Sequence, residues 1–174
     1  MLTKALIEKY FIAEKQESLL FIAIGVIAIL IAIIGLFYFK TAYWRGVAIP
    51  LIAVAIVQII VGYSVYARSD EQRIDMVYSL DMNPQQLKKV ELPRMKIVAK
   101  NFIIYRWVEI ILVIVGIGLF FYFKSNTPHF FWKGFGLALC IQALLMLGAD
   151  FFAERRAANY LLALEAETSH SVPK

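Results

Sequence analysis

Residues 19–39 form a run in which no side chain is charged and only Tyr38 carries a polar group. As a helix the run is ~31 Å long, matched to a ~30 Å hydrocarbon core. Such a run has no polar face to turn to water, so it predicts a membrane span. Three further runs follow, at about residues 44–67, 102–123 and 130–152. With 61% hydrophobic and 18% charged residues and a mean hydropathy of +0.70, the whole chain is more apolar than a soluble domain.

The turns between runs repeat. Phe-Tyr-Phe-Lys at 37–40 leads to Trp44-Arg45-Gly46, and Phe-Tyr-Phe-Lys at 121–124 leads to Trp132-Lys133-Gly134. Aromatic rings and a cation at both ends of a short polar stretch are the signature of a turn at the headgroup level. The repeat predicts two helical hairpins of common ancestry. Glu17 and Glu109 precede the first run of each hairpin, and Arg68 and Arg156 follow the second.

Fourteen of the 18 Lys and Arg residues lie in the N-terminal, middle and C-terminal segments, against Lys40, Arg45, Lys124 and Lys133 in the two turns. The positive-inside rule then places both termini and the middle segment in the cytoplasm, with residues 41–43 and 125–129 opposite. Two spans return a chain to its starting side, so the hairpins share one orientation. The expected fold is an all-α integral membrane protein: four transmembrane helices as two tandem same-orientation hairpins, with amphipathic cytoplasmic helices. Its parts are an amphipathic interfacial helix at 1–18, a first hairpin at 19–67 and a cytoplasmic helical linker at 68–101. A second hairpin at 102–154 and a C-terminal helix and tail at 155–174 complete it.

Within the linker, Asn83 is expected to cap a short helix with Gln86 closing a capping box, and Leu92-Pro93 to start the helix feeding the third span. Gly25, Ala28, Ala32 and Gly35 offer the first span a small-residue face for close helix contact, as Gly116 and Gly118 do for the third. Gln58 and Gln142 are the strongly polar side chains deep in the runs. They are read as packing residues that bond to a neighbouring helix.

The candidate site is a charge cluster. The third run reaches full length only if it begins near Phe102, which carries Arg106 and Glu109 into the membrane. An antiparallel fourth span brings Asp150 and Arg155 to the same level. Unpaired charge is costly there, so the four residues are expected to compensate one another in a clasp, or to form a relay or partner site.

Chemistry of other kinds is poorly supplied. Cys140 stands alone in an apolar run, and His129 and His170 are isolated, so no metal, haem or disulfide is expected. No nucleophile–base pair or phosphate-binding glycine loop occurs, and no catalytic residue or cofactor is assigned. The net charge of +5 flanks the spans and implies a lipid bilayer rather than nucleic acid. The expected function is binding to another membrane protein or membrane-targeted protein, as an accessory subunit, assembly factor or immunity-type protein of a bacterial inner membrane. A homo-oligomeric pore, or a small ion or proton transporter, is the alternative. The shortage of deep polar residues weighs against it.

Overall fold

The structure is a computed structural model that describes residues 2–124 and 129–170. Helix α1, Lys4–Ile34, begins where the Thr3 hydroxyl accepts the Leu6 amide at 3.2 Å. It loosens into a π-helical turn, Gly35–Phe39, and Lys40 then takes the left-handed conformation at φ 51°. That single residue reverses the chain, and Thr41 accepts the Trp44 amide to start α2, Ala42–Met82. Phe39 stacks on Trp44 with centroids 4.8 Å apart, and in the second copy of the motif Phe123 stacks on Trp132 at 6.4 Å.

The middle segment is short. Asn83 closes α2 through its own amide on the Ser79 carbonyl, and one helical turn, α3 (Pro84–Gln86), follows. Contrary to the capping-box expectation, the Asn83 side chain donates to the Gln86 side chain at 3.4 Å and accepts no backbone amide. A π-helical turn at Leu87–Glu91 leads into α4, Leu92–Tyr122. Pro93 sits in its first turn, where a missing amide costs nothing. Helix α5 is Phe130–His170.

Among the described residues, four helices are long and apolar enough to cross a membrane. α1 lies antiparallel to α2, and α4 antiparallel to α5; α2 and α5 run parallel and join the two pairs. Each contact is made at small residues. A Cβ on Gly25 would come within 3.1 Å of the Ala55 carbonyl, and one on Gly116 within 2.7 Å of the Gly136 carbonyl. Gly25, Ala28, Ala32 and Gly35 are all buried. Gly118, by contrast, faces open space. The α2–α5 contact is reciprocal, because Gly46 lies on the Phe131 carbonyl and Gly134 on the Tyr43 carbonyl. These are the glycines of the repeated Trp-(Arg/Lys)-Gly motif.

The opposite end of the bundle, which carries both described termini, has a core of its own. Residues 1–18 were expected to lie along an interface with their apolar side in lipid. Instead Ile7 and Phe11 are fully buried in protein, among Met76, Leu87, Met95, Tyr160 and Leu164. The reason is helix length. At 41 residues each, α2 and α5 extend ~61 Å, about twice a hydrocarbon core. Their surplus turns, with the start of α1 and the segment before α4, close over one another. None of these pieces could bury its apolar side alone.

The α2–α5 seam tolerates no side chain at Gly46, where a Cβ would sit 1.9 Å from the Phe131 carbonyl oxygen. Gly46→Ala is expected to cost about 1–3 kcal/mol through forced separation of the helices. Gly118→Ala, into open space, is expected to leave stability unchanged or raise it. Thermal unfolding of both variants in one detergent checks the contrast; equal losses would contradict the packing.

Candidate functional site

The antiparallel register of α4 and α5 sets Arg106 opposite Glu154 and Glu109 opposite Asp150. Of the four residues expected to compensate one another, three meet here and one does not. Arg106 Nη1 donates to both carboxylate oxygens of Glu154 at 3.0 Å. Arg155 is exposed and turns away, its guanidinium 4.3 Å over the Phe151 ring. Sequence reasoning missed Glu154. The available signal was its spacing: four residues after Asp150, it shares that helix face.

This pairing changes the electrostatics of the cluster. Glu154 holds the cation expected to serve Glu109 and Asp150. Glu109 is 3% exposed, and neither of its carboxylate oxygens accepts a bond from an N–H or hydroxyl donor; its hydrogen-bond contact is with the Asp150 carboxyl. The Asp150 carboxyl stands directly against it. Two such groups repel when both are ionised, and a proton or an external cation between them removes the repulsion. They border a cleft of about 480 Å³ lined also by Ile110, Leu144, Leu147, Phe151 and Phe152 and by the Arg106–Glu154 pair, with Gly148 leaving space in one side.

Gln58 and Gln142 meet at the α2–α5 seam. The Gln142 amide donates to the Gln58 carbonyl oxygen at 3.1 Å, and both side chains are 2% exposed. Each apolar helix thus places its deep polar group against the other's. Elsewhere the buried hydroxyls of Ser18 and Ser69 donate to carbonyls of their own helices and present no nucleophile. Cys140 is half-buried and free. His129 packs beside the Phe123 ring, and the His170 side chain and residues 125–128 lie outside the described part. Among the described residues, no three His, Cys, Asp or Glu side chains converge in a way that could hold a metal ion.

A second polar group occupies the basal core. Arg94 clamps Glu91 through two bonds of 2.7 Å and lies over the Phe11 ring. Tyr10 stacks on Tyr160 at 4.3 Å and donates to Glu14 at 3.4 Å. Arg156 of the second repeat pairs with Glu17 of the first. Burial holds the Glu14 carboxyl above the usual carboxylate range, despite Arg94, Arg68 and Arg156 nearby. Its three helical neighbours are far apart in sequence, so no local pattern announces this network.

A scan of protein-family models and searches of curated proteins and of solved structures find no match to this chain.

The Glu14 environment gives a pH dependence of definite sign. A carboxyl whose folded-state pKa is raised binds its proton more tightly in the folded protein than in the unfolded one. Its ionisation therefore penalises folding as pH rises above the ordinary value of 4.5, and the penalty vanishes well below that value. Glu14→Gln removes the ionisable group. The variant is expected to melt at a higher temperature than the parent at neutral pH, with the gap closing as pH falls toward 4.5. A gap independent of pH would contradict this account of Glu14.

Proposed function

We propose that this chain is a small multi-pass protein of a bacterial cytoplasmic membrane that acts by binding another protein within or against the bilayer. In this reading the four helices cross the membrane as two tandem hairpins of one orientation. Both termini and the basal core lie in the cytoplasm. An accessory subunit, an assembly factor and an immunity-type protein that blocks a membrane-targeted toxin all fit it.

One observation carries the choice of binding over conduction. The two deep glutamines are bonded to each other inside the chain, so they do not line an aqueous path between chains. A channel needs a polar stripe through the hydrocarbon. What the described helices offer outward is apolar: Ile27 and Ile34 on α1, Ile60 on α2, Ile111 and Ile114 on α4 are each more than half exposed. Such faces suit lipid and partner helices.

Gentle solubilisation of native membranes and purification of the protein should yield a stoichiometric complex with a second polypeptide. The purified protein should be silent in planar bilayers. Reproducible single-channel steps that change with Gln58→Leu or Gln142→Leu would overturn the reading in favour of a pore.

A further inference from the structure

The repeat makes the α4–α5 cleft stand out. Glu17 and Glu109 occupy matching places before the first helix of each pair. Glu17 receives a cation, Arg156, from the other repeat. Glu109 receives none. Its carboxylate is almost fully buried and bonded to no N–H or hydroxyl, and its hydrogen-bonding neighbour is a second carboxyl, Asp150, with which it can share a single proton. Arg106, three residues before Glu109, is held by both oxygens of Glu154, so the two acids face each other without a cation of their own.

The surroundings narrow what could match them. The cleft has about 480 Å³, far more than a bare ion fills, and apart from the two acids and the Arg106–Glu154 pair its walls are aliphatic and aromatic. Its outer edge is formed by Leu144, Phe151 and Phe152, which are themselves exposed. A mainly apolar rim favours a cationic head carried on an apolar body over a hydrated ion. Charge complementarity and an apolar approach together describe one occupant. We propose that this cleft is the docking point for a lysine or arginine side chain presented by a membrane-spanning helix of a partner protein. The inference rests on the protein-binding reading above and gives it a place and a chemistry. Binding replaces the repulsion between Glu109 and Asp150 with a charge-assisted pair in a low-dielectric setting.

The test uses the full chain in lipid nanodiscs and a synthetic single-span peptide of leucine and alanine. One version has a single lysine placed about two turns from one end; the other has leucine there. Energy transfer from a dye on the peptide to a label at Lys9→Cys, in a Cys140→Ala background, reports association. The lysine peptide is expected to bind roughly thirtyfold tighter than the leucine peptide or better. Glu109→Gln and Asp150→Asn should each erase that preference while keeping the parental melting temperature or raising it, since each relieves a repulsion. Gly148→Leu, whose side chain enters open space in the cleft, should erase it with both acids in place. Equal binding of the two peptides, or a preference that survives all three substitutions, would overturn the proposal. So would occupancy of the cleft by dodecylammonium with no peptide preference. The native complex separates the two levels: if the Glu109→Gln, Asp150→Asn double variant keeps its partner, the docking point is wrong and the protein-binding reading stands. If the parent protein captures no partner, that reading fails.

Discussion

Everything in this molecule hangs on the contact of α2 with α5. Gly46 lies against a backbone carbonyl of α5, and Gly134 against a backbone carbonyl of α2. Within a bilayer there is no hydrophobic effect to press helices together, because lipid tails are as apolar as leucine. Helices then associate through close packing and a few polar bonds, and both need small residues at the crossing. The seam supplies both: paired glycines at one end and the Gln58–Gln142 bond farther along. α1 and α4 are fastened to this pair at further glycines, on opposite flanks.

The basal end is held by different physics. Its core of Ile7, Phe11, Met95, Tyr160 and Leu164 has the composition of a soluble interior, where burial away from water drives packing. Polar groups inside it are mostly spent in pairs, such as Arg94 with Glu91 and Arg156 with Glu17. α1, α2, α4 and α5 contribute to both ends, so each end fixes the geometry of the other. The α4–α5 cleft lies at the junction. There the repeat's pairing rule fails, and Glu109 and Asp150 are left facing each other.

Unbroken apolar runs and composition made the four apolar helices readable, and the paired motif located the turns. Gly46 and Gly134 were visible in that motif, but their reciprocal contact was not, because a sequence does not state which helices become neighbours. The Arg106 environment shows how one missed residue changes an electrostatic argument. Taking Asp150 and Arg155 as its companions predicted mutual compensation. Glu154, one turn beyond Asp150, instead holds the arginine and leaves two acids unserved. The basal core was hidden for a further reason. Residues 2–11, the end of α2, the segment before α4 and the end of α5 each look like ordinary amphipathic flanks. The surplus length of α2 and α5, ~61 Å each, carries these flanks beyond the apolar runs, where they meet.

The central claim is that the deep polar contact is made within one chain. It is tested most directly with cysteines at 58 and 142 (Gln58→Cys and Gln142→Cys, with Cys140→Ala), bridged in native membranes by a short thiol-to-thiol reagent. The account predicts an internally linked monomer, recognised by its altered mobility and by one peptide joining α2 to α5 after digestion. Linkage between two chains, with none inside a chain, would contradict it and place the glutamines at an intermolecular interface.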